Sequence, residues 1–171
     1  MPHPIVNIDS VAPQELPEPY APTGPAAALY APRVARIGLL IGANALGCNL
    51  IVLAPGKRAF PFHNHRNNEE MFIILEGCGE VRIGDETFPI KAHDMISCPA
   101  GDPKTAHQIC NTSGEILRYV AISTMHATDI VEYPDSGRFR IVHGPTSNGS
   151  ADESLDIWAT PDEDASYWGT R

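Results

Sequence analysis

Two histidines one residue apart, His63 and His65, stand just ahead of two adjacent glutamates, Glu69 and Glu70, in the stretch FPFHNHRNNEEMFIILEG, residues 60–77. If residues 61–65 are extended, alternation places Pro61, His63 and His65 on one face and Phe62 and Asn64 on the other. Two imidazoles on one face, two residues apart, are within reach of a single metal ion. Such a pair also occurs as structural or exposed histidines, so a metal site needs further ligands from neighbouring strands. A short turn, RNNE, leads into EMFIILE, where Glu70 shares its side with Phe72 and Ile74. Glu69 points the other way and reads as a solvated group or a neighbour of the site. A further strand, AHQICN, begins with His107. Three imidazoles and one carboxylate converging from different strands make a metal site. Without a cation the buried groups would be left unpaired, at a cost of several kcal/mol.

Three neutral histidines and one carboxylate leave such a site at a charge of about +1 around a divalent ion, and an octahedral ion keeps open positions for water or substrate. Mn, Fe, Ni, Co and Zn all accept these ligands. The ion could polarise a carbonyl or enolate for isomerisation or elimination, activate water, or, as iron, bind dioxygen. Lys57, Arg58 and Lys104 flank the ligand loops and could hold an anionic substrate. Phe72, Ile74 and Ile109, in phase with the ligands, would line an apolar pocket. Isomerase or lyase chemistry also needs a general base; Tyr119 and Glu115 lie near the strands in question, and neither can be assigned that role.

The elements that must position these residues are short. From Val34 onward, runs of four to eight apolar residues alternate with Gly, Pro and Asp, as in NLIVLAPG, EMFIILEG, GEVRIGDETFPI, DMISCPAGD, HQICNTSG and EILRYVAIST. Their length and spacing predict an all-β sandwich or barrel. RIGDETFPI reads as a hairpin turning at Gly84 and Asp85, and PDSGR, residues 134–138, as another turn. Half of the 16 prolines fall within the first 32 residues, where no helical or alternating period survives, so residues 1–33 read as an extended arm. The domain organisation expected is this arm, a barrel over 34–133, and an acidic tail over 134–171. In the tail Leu155, Ile157, Trp158, Tyr167 and Trp168 suggest docking on the barrel or on a partner subunit.

The chain has 171 residues, 43% of them apolar, and a net charge of −9, with most of the excess acid from Thr128 onward. That balance argues against nucleic acid and anionic membranes as partners. The four scattered cysteines read as free thiols. Without a positive start or a continuous apolar core at the N-terminus, cytoplasm is the expected compartment.

Over residues 47–124 the chain resembles a cupin. The first cupin motif is matched by Gly56, His63, His65, Glu70 and Gly77, and the second by Pro99, Gly101, His107 and Asn111. Six residues rather than five lie between Gly56 and His63, His93 stands where the second motif begins with glycine, and DPKTA replaces two residues before His107. The retained spacing to Asn111 favours His107 over His93. The stretch CPAGDPKTAHQICNTS also resembles a subset of small cupins, which implies a fold and a metal rather than a substrate. The resemblance implies a double-stranded β-helix, or jelly-roll barrel, to which the residues themselves add an extended N-terminal arm and an irregular C-terminal tail. It also implies His63, His65, Glu70 and His107 as ligands to one divalent transition metal ion per chain. The function expected is a metal-dependent enzyme acting on a small metabolite, with isomerase, lyase or dioxygenase chemistry; a non-catalytic small-molecule binder is the alternative. A homodimer is expected from Phe62, the aromatic tail and family habit.

Overall fold

The computed structural model describes residues 2–18, 20–144 and 154–161. The strands are β1 (Gln14–Glu15), β2 (Pro32–Ala35), β3 (Leu46–Leu53), β4 (Asn64–His65), β5 (Glu70–Glu76), β6 (Cys78–Ile83), β7 (Glu86–Lys91), β8 (Met95–Cys98), β9 (His107–Cys110), β10 (Leu117–Thr124), β11 (Thr128–Tyr133), β12 (Arg138–His143) and β13 (Leu155–Ala159), with short helices α1 (Pro25–Leu29) and α2 (Ile37–Ile41). They form three sheets, ordered β1-β2-β3-β10-β5-β8, β13-β12-β11-β4 and β7-β6-β9. Every pairing between these strands is antiparallel. This is the all-β architecture expected from the spacing of the apolar runs, in the jelly-roll form that the resemblance to cupins implies. None of the described helices is long and apolar enough to cross a membrane.

Alternation decides what each face buries. On β3, β5 and β10, Ile51, Leu53, Phe72, Ile74, Leu117, Tyr119 and Ala121 point inward, where they meet Val81, Ile90 and Ile109 from the three-stranded sheet. Each such side chain, fully buried, contributes about 1.5–3 kcal/mol. The opposite face of the six-stranded sheet is apolar too. Leu50, Cys48, Leu75 and Val120 lie there, covered by Ile37 and Ile41 of α2 and by Val6, Ile8 and Val11 of the N-terminal segment. Arg118 fastens that segment down, donating to the Ile8 carbonyl at 3.2 Å and to Asp9 at 2.8 Å. Phe62, one basis of the dimer expectation, is no free surface: it is buried within its own chain, with the Arg82 guanidinium 3.6 Å above its ring.

The hairpin at Gly84 and Asp85 joins β6 to β7, with Gly84 at φ 55°. The turn at 134–137 joins β11 to β12. Within the stretch expected as the tail, FRIVH and LDIWA carry enough β-branched and aromatic residues to form β12 and β13, which pair in register from Phe139 opposite Ala159 to His143 opposite Leu155. Tyr167 and Trp168 lie outside the described residues. The cysteines are free, with Cys98 buried and Cys78 exposed.

Gly77, which ends the first motif, links β5 to β6 at φ 80°, and a Cβ there would fall 2.1 Å from the Ile116 carbonyl oxygen. Both the positive φ and the contact with backbone exclude a side chain. Gly77→Ala is therefore expected to cost about 3 kcal/mol, lowering the thermal midpoint by roughly 6–12 °C. Thermal unfolding followed by circular dichroism checks it, and an unchanged midpoint would contradict this account of the turn.

Candidate metal centre

Long-range pairing, not proximity in sequence, assembles the site. His63 and His107 face each other across an antiparallel bridge, with backbone hydrogen bonds from His63 N–H to His107 C=O at 3.2 Å and back at 2.8 Å. β4 places His65 opposite Val131 of β11. Glu70 opens β5, paired with Ser123 on β10 and Cys98 on β8. The inserted DPKTA folds into a 3-10 turn over Pro103–Thr105, capped by Asp102, which accepts the Lys104 N–H at 2.8 Å. That turn delivers His107, 3% exposed, into the barrel. His93 stands apart, at φ 77° in the turn between β7 and β8 and exposed to solvent. Glu69 is exposed, as alternation requires. Asn111 is structural: it donates to the Leu53 and Glu115 carbonyls at 3.0 and 2.7 Å and closes the turn after β9.

The three imidazoles present the same nitrogen to the same atom. Nε2 of His107, His65 and His63 lies 2.8, 3.5 and 3.8 Å from Glu70 Oε2. Each Nδ1 is turned outward to an oxygen that can only accept: the Pro61 carbonyl at 2.7 Å for His63, the Asp129 carboxylate for His65, and the Thr105 carbonyl at 3.3 Å for His107. Those acceptors can hold the Nδ1 protons when Nε2 binds an ion; in the metal-free protein the 2.8 Å contact of His107 Nε2 with Glu70 Oε2 is a hydrogen bond, with a proton between the two atoms. Four acceptors pointing at one another require a cation between them, a proton or a metal ion. The ligand atoms of His63, Glu70 and His107 all lie within 4.8 Å of one another, and this trio could hold an ion. His65 stands just outside it, joined through Glu70, with its ring 6.5 Å from that of His107.

Burial and the neighbouring His107 push the His63 pKa down to about 4. For His65 burial acts in the same direction but is outweighed by the hydrogen bonds and charges of Asp129 and Glu70, which push it up to about 9. Burial alone would raise Glu70, yet its hydrogen bonds with His107 and His65 hold it well below the ordinary carboxylate range. In the metal-free protein, then, the cation is a proton on His65.

Asp129 is the functional neighbour that the spacing of histidines could not show. It is 4% exposed and held by Asn67 N–H at 3.0 Å and Asn68 Nδ2 at 2.9 Å, both from the RNNEE turn. Its only trace in the sequence is an acid in phase with Val131 and Tyr133 on the strand TDIVEY. Acting through His65, it is a positioning residue. Asp129→Asn would let an amide N–H donate to Nδ1, reversing the tautomer and turning an N–H toward Glu70. The expected result is a loss of metal affinity of roughly 10–100-fold, read by competition with a chromogenic chelator; unchanged affinity would remove Asp129 from this role. Tyr133 stacks on His63 at 6.0 Å and on Trp158 at 5.3 Å, which walls one side of the cluster.

Beneath the cluster lies a cavity of about 70 Å3, lined by Phe72, Ile109 and Tyr119 among others. Burial and the Glu70 charge push the Tyr119 pKa well above its ordinary value, so Tyr119 is a neutral hydroxyl. The expected cations are elsewhere. Lys57 donates to the Ala28 carbonyl at 2.7 Å, Lys104 is exposed, and no lysine or arginine lines the cavity among the described residues. Glu115 is exposed in the turn before β10, and Ile74 packs in the core without reaching the cavity.

Residues 49–123 match the model of the Cupin domain family, so this part of the chain is a cupin domain. Over 61 residues it is 38% identical to an uncharacterised protein of Methanocaldococcus jannaschii, covering 36% of this chain and 46% of that one. The chain spans about half the length of the curated relatives it matches. Among solved structures it is similar to a candidate sugar phosphate isomerase of Acidithiobacillus ferrooxidans, with 26% identity, 74% of this chain and 76% of that one covered, and a TM-score of 0.63. It is also similar to a cupin-superfamily sugar phosphate isomerase of Silicibacter pomeroyi, with 23% identity, 88% and 99% covered, and a TM-score of 0.73.

Proposed function

We propose that this cupin is a metal-dependent enzyme that isomerises or cleaves a small oxygen-bearing metabolite at a site formed by His63, His65, Glu70 and His107. One observation carries the reading: three Nε2 atoms converge on a single half-buried carboxylate oxygen while every Nδ1 is turned away to a fixed acceptor. The donor set suits Mn, Fe, Ni, Co or Zn, one per chain. Such an ion supplies Lewis-acid polarisation of a substrate carbonyl. The chain's own residues do the rest. Pro61, Asp129 and Thr105 hold the imidazoles in the tautomer that leaves Nε2 free, Glu70 supplies negative charge, and Phe72 and Ile109 exclude water. With no cation lining the cavity among the described residues, an anionic group of the substrate would belong at the metal end. The likeness to the candidate isomerase of A. ferrooxidans supports this class of reaction.

An iron-dependent dioxygenase is the second reading, favoured by the apolar wall of Ile51, Phe72 and Ile109. Metal analysis of purified protein is expected to give about one transition metal ion per chain, lost in His63→Ala and His107→Ala. Wild type and variants that stay equally empty after reconstitution would overturn the metal reading. Oxygen uptake with an iron-loaded sample selects the dioxygenase, and its absence leaves isomerisation or cleavage. A homodimer belongs to the proposal, supported by the exposed Leu155, Ile157 and Trp158 of β13, and light scattering giving the mass of a single chain would remove it.

A further inference from the structure

The cavity has a second polar end that the metal cluster does not use. Along the inward faces of β3, β10 and β5 the register stacks rows. Gly47, Ser123 and Glu70 form the row at the cluster, Asn49, Ala121 and Phe72 the next, and Ile51, Tyr119 and Ile74 the one below. Successive rows are ~7 Å apart. Asn49 and Tyr119 therefore stand one and two rows beneath Glu70, and both line the cavity. Ala121, between them, leaves the space open.

Three uncharged polar side chains line this space, and they are not equivalent. Gln108 is committed to the barrel, donating to the Phe60 carbonyl at 2.7 Å. The Asn49 carboxamide and the Tyr119 hydroxyl make no hydrogen bond among the described residues, although Tyr119 is only 1% exposed. Asn64 Oδ1 is the one fully buried side-chain polar atom without a partner among the described residues, so the Tyr119 hydroxyl opens on the cavity, where a bound oxygen can hydrogen-bond to it. At roughly 15 Å3 for each water-sized occupant, the cavity of about 70 Å3 has room for about five heavy atoms. A phosphoryl group entering it would meet apolar walls and no positive charge.

We propose that Asn49 and Tyr119 are specificity-determining residues. They hold an uncharged oxygen at the inner end of a short substrate whose chelating end, a 2-oxo acid suited to the two positions that four protein ligands would leave open on an octahedral ion, sits at the metal cluster. This rests on the metal reading above. It narrows the substrate class to small oxo acids with a terminal hydroxyl or carbonyl, and it excludes compounds that carry a phosphate at that end.

The test is calorimetric titration of manganese-loaded protein with two acids of nearly equal shape, 4-hydroxy-2-oxobutanoate and 2-oxopentanoate, which differ by an oxygen in place of a terminal methyl carbon. Wild type is expected to favour the hydroxy acid by about 10–100-fold. Tyr119→Phe and Asn49→Ala should each bring the two acids within about threefold while leaving 2-oxopentanoate binding unchanged. 3-Phosphoglycerate should bind more weakly than either. Asn49→Ala changes a half-buried strand position, so the comparison survives even if Tyr119→Phe disturbs the core. Equal wild-type affinities, a preference that persists in both variants, or tighter binding of 3-phosphoglycerate would overturn this proposal and leave the metal reading standing. If neither acid binds the manganese-loaded protein, this proposal falls, while the metal reading, which rests on metal content, stands.

Discussion

Glu70→Gln is expected to bind a divalent ion at least ~100-fold more weakly than wild type, a loss of about 2.7 kcal/mol, while the metal-free variant keeps its fold. The carboxylate is the one formal negative charge among the four groups that converge, and Oε2 is the atom that all three Nε2 nitrogens face. A carboxamide of nearly the same shape removes that charge without opening a cavity. Its amide can keep the hydrogen bond with His107 Nε2, 2.8 Å away, so the metal-free variant retains that contact. His65 should respond as well. Glu70 is one of the groups that push its pKa up to about 9, so in the variant His65 should titrate below that value, toward the ordinary 6.5. Chelator competition reads the first effect and the imidazole NMR shifts the second. Unchanged metal affinity would remove Glu70 from the site.

Three of those groups, His63, His65 and Glu70, are legible in the sequence because local alternation separates them from their neighbours, and His107 is legible from its spacing to Asn111, although only Asn64–His65 of the expected strand over 61–65 forms one. HNH separates two imidazoles from Phe62 and Asn64, and EMFIILE separates Glu70 from Glu69. Asp129 is not legible, because its role exists only once β4 pairs with β11 and the RNNEE turn folds over it. The same limit explains Phe62, whose phase away from the histidines is visible but whose cover, Arg82, comes from a hairpin strand. The N-terminal segment shows a different limit. Val6, Ile8 and Val11 are separated by polar residues and prolines and follow neither structural period, yet they cover the outer face of β3, β5 and β10. Strand β10 is apolar on both faces for that reason, and alternation alone does not say which face is the barrel interior. Lys57 has the position of a cation at the mouth, but its ammonium instead caps the carbonyl of Ala28 in α1, a contact that spans 29 residues.

Metal loading is expected to raise the thermal midpoint by roughly 8–16 °C when free ion exceeds its dissociation constant about a thousandfold, a linkage of about 4.1 kcal/mol. The increment should grow with pH. In the metal-free protein His65 lies at about 9, above the ordinary 6.5, so its protonated form stabilises the fold fully below pH 6.5. That contribution is lost as the pH rises through 9. His63 lies at about 4, below 6.5, so its contribution is present above 6.5 and is lost as the pH falls through 4. The two groups together place the greatest stability of the metal-free protein near pH 6.5 and make it decline toward 9. The ion needs the lone pair that the His65 proton occupies, so its affinity should rise about tenfold per pH unit until that proton is gone near pH 9. Midpoints measured with and without Zn2+ or Mn2+ should therefore diverge between pH 6.5 and 9, the metal-free curve falling while the loaded curve does not. Parallel curves would mean that the ion displaces no proton from His65 and that His65 is not among its ligands.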